Sequence, residues 1–263
     1  MNLLAFPTWP GSSVILKNDY VENIYENNIP DEKFDIVLNT WWGMYGHEND
    51  PIISADMIVS NRPDYFKQHE IEQNMELIRT QGYKDGTPSQ YVNVEIPVIS
   101  ETEKPIIGLH CGSFGGGWEK KRWPYFKTFA MKLIYNDFIV INFGTEEDKL
   151  NIENENYIEN AGKLTLQETI DNIVGMCDYF ISNDSGLMHV VDAFEIPLIA
   201  LFGPTLITKN RPVAKNSHVL VNNLDCIPCQ YSEDFSKCQD NKCLKEIKSD
   251  NIINYMNKLG WNE

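Results

Sequence analysis

Asp184, Ser185, Gly186 and His189 cluster between two short apolar runs, YFIS (179–182) and PLIALF (197–202). The runs are of buried parallel-strand type, and LMHVVDAF between them has helical spacing. A turn of small polar residues therefore opens a helix. The first-turn N–H groups of a helix have no partner within it, and a glycine at the start lets a ligand approach the backbone. The chemistry this suits is the binding of an anion such as a diphosphate. An ordinary strand–helix–strand unit in which a Ser or Asp only caps the helix is the other reading of the same residues.

Two further stretches carry groups of the same kind. In CGSFGGGWEKKRW (111–123), Gly112, Ser113 and Gly115–Gly117 can expose backbone N–H groups, and Lys121 can set a point charge on phosphate oxygens. Taken alone such a stretch reads first as a surface loop with a solvated basic run. Glu146, in GTEED directly after an apolar run, can accept hydrogen bonds from a ribose diol. Separately, Cys226, Cys229, Cys238 and Cys243 form C-x2-C-x8-C-x4-C. Four thiolates so close suit a tetrahedral zinc or iron site, with two disulfides or reduced thiols as the alternatives. Cys111 and Cys177 read as small core residues.

The elements that must position these groups follow from periodicity. PIIGLH (105–110) and FIVINF (138–143) join the two runs above as strands. A helix is expected from Pro124 to about Ile134, and another in LTLQETIDNIV (164–174), capped by Thr165 or a neighbour, with Leu166, Ile170, Ile173 and Val174 inward. Ser249 is expected to cap a last helix with Ile252, Ile253, Met256 and Leu259 on one face. In the first half, FDIVLNT (34–40) and ADMIVS (55–60) read as strands, and HEIEQNMELIRTQGY (69–83) as a helix with Ile71, Met75 and Ile78 on a stripe. His69 belongs to that helix start. Residues 84–104 look like a crossing between two halves. Alternating strands and helices imply a doubly wound, mainly parallel α/β sheet, whose ligands sit outside the carboxyl ends of the strands. The loops after His110, Phe143 and Ser182 all emerge there, and their convergence favours the ligand-binding reading of each.

With 263 residues and a net charge of −16, the chain can bury a full core and disfavours binding to a nucleic-acid backbone. It has no run of roughly 18 apolar residues and no basic signal-peptide start, so the expectation is a cytoplasmic protein without a membrane span.

KRWP (121–124), GTE (144–146), AGKLTLQETIDNI (161–173) and NDSGLMHVVDAFEIPLIALFGPT (183–205) resemble the successive motifs of glycosyltransferase family nine, the bacterial heptosyltransferases. The resemblance covers about residues 105–260 and extends weakly to FDIVLN and the helix at 69–83. It implies a GT-B fold, two Rossmann-like domains facing across a cleft. The first would be a shortened acceptor-side α/β domain at 1–95. The second, at 96–263, would bind the nucleotide sugar and include a four-cysteine finger (226–243) and the terminal helix. By the same resemblance Lys121 matches the lysine that holds the donor phosphate, and Ser113 falls near the hydroxyl residues that assist it. Glu146 matches the ribose ligand, Asp184, Ser185 and Gly186 the turn at the diphosphate and sugar, and His189 the histidine one helical turn later. The implied activity is inverting transfer of a sugar, a heptose in the family's case, from a nucleoside diphosphate (ADP favoured) to a hydroxyl on a glycan, lipid or protein. No metal takes part in such a reaction. Related enzymes carry similarly placed cysteines and some bind iron, which supports a structural finger.

The pattern departs from the family at its start. Family members open with a strand, a Gly-Asp turn and a helix, and that Asp is taken as the general base; here it is missing from MNLLAFPTWPGSSVILKN. Ser12, in its place, cannot act as an unassisted base near neutral pH. WWGMYGHENDP (41–51) is the expected alternative, with His47 and Glu48 as base candidates, Asp19 behind them, and Trp41 and Trp42 suited to stacking on an acceptor. A catalytically silent nucleotide-sugar-binding partner or regulator is the rival reading.

Overall fold

The computed structural model describes residues 2–5, 23–26, 31, 33–39, 55–60, 67–82 and 102–261. The chain divides into two compact units, Met1–Asn93 and Val94–Glu263. His47, Glu48, Asp19, Ser12, Trp41 and Trp42 lie outside the described residues.

In the first unit two parallel strand pairs are described. β1 (Asn2–Ala5) pairs with β2 (Asn23–Glu26), and β3 (Phe34–Asn39) with β4 (Ala55–Ser60). Helix α1 (Glu70–Arg79) starts at His69, whose Nδ1 accepts from the Ile71 N–H at 3.2 Å. Its buried residues are Gln73 and Leu77, and the expected stripe of Ile71, Met75 and Ile78 is only half-buried. The buried line thus runs beside the most apolar one. Gln73 is accommodated because its Nε2 donates to the Gln68 carbonyl at 3.0 Å.

The second unit is built on six parallel strands, β5 (Ile106–His110), β6 (Ile139–Asn142), β7 (Tyr157–Glu159), β8 (Tyr179–Asn183), β9 (Leu198–Phe202) and β10 (Ser217–Val221). Their order across the sheet is β10-β9-β8-β5-β6-β7. From β5 the chain winds outward through β6 and β7, returns to β8, and winds the other way, which puts the topological switch point between β5 and β8. Successive side chains on a strand face opposite sides, and here both sides are apolar. Ile107, Leu109, Val140, Ile181, Ile199 and Leu201 share one core with Phe129, Leu133, Ile252 and Met256. Ile106, Ile141, Phe143, Phe180, Ala200 and Phe202 share the other with Ile173, Met188 and Val191.

The helices that close these faces are α2 (Phe126–Tyr135), α3 (Leu166–Met176), α4 (Gly186–Ala193), α5 (Ile207–Asn210), α6 (Glu233–Lys237), α7 (Lys242–Lys245) and α8 (Ser249–Lys258). Thr165 caps α3 in the expected manner, exchanging hydrogen bonds with Glu168. Thr169, Ile170 and Ile173 are its buried residues, while Leu166 and Val174 are half-buried. Two expected starts shift. Pro124 lies in a turn ahead of α2, because Trp123 before it is pinned into the core, its Nε1 donating to the Ile247 carbonyl at 2.8 Å. Ser249 is the first residue of α8 and Lys248 its cap, the Lys248 N–H donating to Asn251 Oδ1 at 3.1 Å. Among the described residues no helix is long and apolar enough to cross a membrane.

Candidate functional site

Asn183 closes the switch point. It ends β8 fully buried, and both ends of its side-chain amide are engaged: Oδ1 accepts from the Trp123 N–H at 3.0 Å, and Nδ2 donates to the carbonyls of Cys111 at 2.8 Å and Gly112 at 3.2 Å. One side chain therefore ties the turn after β8 to both ends of the Gly-rich loop. Asp184 follows, buried, and then Ser185 caps α4, its Oγ accepting from the Met188 N–H at 3.4 Å and lying 3.1 Å from Ser182 Oγ. Gly186 is exposed at the helix start, and a Cβ built there would meet open space. The first turn of α4 is thus open to an approaching anion.

The consecutive cations Lys120, Lys121 and Arg122 fan out to three different partners. All but Arg122 sit on a turn of 3-10 helix, Trp118–Lys121, whose roughly three residues per turn separate neighbouring side chains widely. Lys121 Nζ lies 3.1 Å from Asp184 Oδ2 and 5.3 Å from the Trp118 ring centre, with Lys121's side chain 17% exposed and Asp184's 5%. Lys120 donates to the Phe235 carbonyl and, at 3.0 Å, to that of Ser236. Arg122 donates from Nε to Ser113 Oγ and from Nη2 to the Ser113 carbonyl, both at 3.1 Å, and Nη2 lies 3.3 Å from Asp148 Oδ1. A solvated basic run does not describe them.

Asp148 anchors the neighbouring loop. Its Oδ2 accepts from the Thr145 N–H and hydroxyl, each at 2.8 Å, and a Cβ at Gly112 would come within 2.5 Å of the same oxygen. Only glycine allows that approach. His110 Nδ1 donates to the Phe143 carbonyl at 2.9 Å, and burial lowers its pKa, so the ring is neutral and structural.

The expected ligands are distributed as follows. Lys121, Asp184, Ser185 and Gly186 form one group at the start of α4, with His189 half-buried one turn along. Ser113 is held by Arg122, and Glu146 opens the short 3-10 turn Glu146–Asp148, its side chain exposed and paired with Lys149. None of the six cysteines is bonded to another in this structure. Cys226, Cys229, Cys238 and Cys243 line one cavity of about 90 Å³. Burial, with the other three thiols nearby, pushes Cys243 up to about 11, and burial with Cys226 and Cys238 nearby pushes Cys229 upward. Among the described residues no group of three or more His, Cys, Asp or Glu is set to hold a metal ion as it stands. Nor is the segment a separate finger. Cys229 and Gln230 donate their N–H groups to the Pro204 carbonyl at 3.0 and 3.1 Å, Asn241 Nδ2 donates to the Lys120 carbonyl at 2.6 Å, and Leu244 is fully buried in the sheet's core. Cys177 is buried as expected, and Cys111, half-buried, donates its thiol to the Asp148 carbonyl at 3.0 Å. Sequence reasoning missed Asn183, Arg122 and Asp148, whose only signals were a polar residue ending an apolar strand and charges beside the glycines.

The sequence profile of glycosyltransferase family 9 (heptosyltransferase) matches residues 41–239. A lipooligosaccharide heptosyltransferase 2 of Campylobacter jejuni is 32% identical over 176 residues, 62% of this chain and 54% of that protein. The chain thus spans about half the length of the curated relatives it matches. Among solved structures, E. coli ADP-heptose lps heptosyltransferase II is similar with a TM-score of 0.64 at 19% identity, over 98% of this chain and 88% of that one. TibC of enterotoxigenic E. coli, an iron-containing dodecameric heptosyltransferase solved with ADP-D-beta-D-heptose, is similar with a TM-score of 0.60 at 16% identity, over 98% of this chain and 76% of that one. Both likenesses show an α/β fold with a parallel sheet, as in the GT-B heptosyltransferases.

Proposed function

Because the chain belongs to glycosyltransferase family 9, we propose that it transfers a sugar, a heptose carried on ADP, to an acceptor hydroxyl, with inversion at the anomeric carbon. The observation that carries this reading is the Lys121–Asp184 pair at 3.1 Å beside the open first turn of α4. The diphosphate lies against that turn and Lys121, with Ser113 on the neighbouring loop and His189 further along the helix. Glu146 takes the ribose diol. The acceptor oxygen attacks the anomeric carbon as the bond from that carbon to the diphosphate oxygen breaks. The electron pair leaves with ADP, where the α4 amides and Lys121 stabilise the developing charge. The acceptor proton passes to a base, for which His47 and Glu48 are the candidates. Relatives named for lipooligosaccharide point to a glycan on a lipid as acceptor.

Cys226, Cys229, Cys238 and Cys243 would hold one zinc or iron ion. What supports this is that the four cysteines line one cavity and that TibC, a similar structure, is iron-containing. With four thiolates as ligands such an ion would have no open position for substrate and would cross-link the segment that packs on Pro204.

The test is ADP release from ADP-heptose with lipooligosaccharide core acceptors, in wild type, His47→Ala and Glu48→Gln. Turnover lost in one of the two variants supports the reading. ADP-heptose binding with no turnover on any acceptor refutes it and leaves the silent nucleotide-sugar-binding partner.

A further inference from the structure

The 3-10 turn Trp118–Lys121 presents Lys121, the cation of the donor site, and its two ends are held very differently. After it, Arg122 is bound to Ser113 and Asp148, and the Trp123 N–H donates to Asn183 Oδ1 at 3.0 Å. Before it, Gly116 and Gly117 are exposed with φ of 72° and 97°, and a Cβ built at either would meet open space among the described residues. Glycine has the most conformational freedom to lose, so the chain on that side contributes little stiffness. A single 3-10 turn without a side-chain cap adds little of its own. We infer that Asn241 and Phe235, on the cysteine-bearing segment, are positioning residues for Lys121: they hold this turn so that the ammonium stands ready for the diphosphate. The inference rests on the donor-site reading above.

Three contacts reach the turn from that segment. Asn241 Nδ2 donates to the Lys120 carbonyl at 2.6 Å. A carbonyl only accepts, which sets the NH2 end of the amide toward it. The Lys120 side chain reaches back and donates to the Phe235 carbonyl and, at 3.0 Å, to that of Ser236. The Phe235 ring packs on the Trp118 ring, with centres 5.1 Å apart and planes at 44°, and Lys121 Nζ lies 5.3 Å from the centre of the same indole. One ring thus braces the indole, and the indole supports the ammonium. The main chain next to Lys121 and the surface beneath its side chain are both fixed from one segment.

That segment is itself anchored. The Asn241 carbonyl accepts from the N–H groups of Leu244 at 3.1 Å and Lys245 at 3.0 Å, and Leu244 is fully buried in the core of the sheet. A lysine free on its four-carbon stem loses rotamer freedom when a phosphate captures it. One already held has less to lose and binds more tightly.

The test is a double-mutant cycle read by ADP titration calorimetry in wild type, Asn241→Leu, Lys121→Ala and the variant carrying both, with melting temperatures recorded. Leucine keeps the branched shape and removes the hydrogen bonds. The expected result is ADP affinity about tenfold weaker in Asn241→Leu, and a change of less than about twofold when residue 121 is already alanine. A structural role alone would give the same loss in both backgrounds, and that outcome overturns the inference. An Asn241→Leu protein that binds ADP as wild type does, beside a weakened Lys121→Ala, overturns the positioning role and spares the phosphate site. Lys121→Ala with wild-type affinity removes the donor-site assignment itself. Phe235→Leu carries the same cycle where Asn241→Leu does not fold, with a loss of about threefold expected and again absent in the Lys121→Ala background.

Discussion

Replacing Lys121 with alanine separates a phosphate-binding role from a purely structural one. The ammonium and Asp184 Oδ2 are 3.1 Å apart in a nearly dry setting, the two side chains being 17% and 5% exposed. A charge-assisted hydrogen bond to phosphate there contributes about 1.5–3 kcal/mol, and the low exposure favours the upper part of that range. At about 1.4 kcal/mol per factor of ten, the expected loss of ADP affinity in Lys121→Ala is on the order of 100-fold. Part of that loss comes from Asp184, which is left as an uncompensated carboxylate facing the diphosphate. The double variant Lys121→Ala/Asp184→Asn removes this repulsion without restoring the lysine contact, so it should recover less than about tenfold. Titration calorimetry with ADP measures both, and circular dichroism confirms that the variants are folded. An unchanged ADP affinity in the single variant would refute the assignment. A double variant that binds ADP as wild type does would show that Lys121 serves only to neutralise Asp184.

Arg122→Met should destabilise the second unit by about 1–3 kcal/mol in urea unfolding, since it strips the cation from Asp148, whose side chain is 3% exposed and whose Oδ1 has no hydrogen bond. The 28% exposure of Arg122 keeps the cost below that of a fully buried pair. Lys209 is 4% exposed, and burial brings its pKa down from 10.5 to about 8. Below about pH 8 the folded and unfolded chains both hold the proton and the burial cost is carried in full. Between about 8 and 10.5 only the unfolded chain holds it, so stability rises with pH there by up to roughly 3 kcal/mol. Lys209→Met should lack this rise when urea midpoints are compared at about pH 7 and pH 10. Elemental analysis should find one zinc or iron per chain, lost in Cys243→Ser together with several degrees of melting temperature; metal-free protein of the same melting temperature would contradict the site.

The parallel sheet of the second unit is legible in sequence because strands buried on both faces carry uninterrupted apolar runs, as PIIGLH and PLIALF do. The caps at Thr165 and Ser185 are legible because a side chain reaching a backbone three residues on is a local event. What depends on distant partners is not. Lys120, Lys121 and Arg122 look alike in the chain, and only the fold sends them to Phe235, Asp184 and Asp148. Pro124 misplaces the start of α2 because the hydrogen bond from Trp123 to Ile247 spans most of the unit. Asn241 and Phe235 meet the turn bearing Lys121 through packing of the cysteine-bearing segment on Pro204, which no periodicity announces.

The central claim is that the first turn of α4, with Lys121, holds the diphosphate of a nucleotide sugar. A crystal structure with ADP-heptose tests it most directly. The account predicts phosphate oxygens within hydrogen-bonding distance of Lys121 Nζ and of the Gly186 and Leu187 N–H groups, with the ribose diol at Glu146. A diphosphate bound away from that turn, or Lys121 still paired with Asp184 and touching no phosphate, would contradict it.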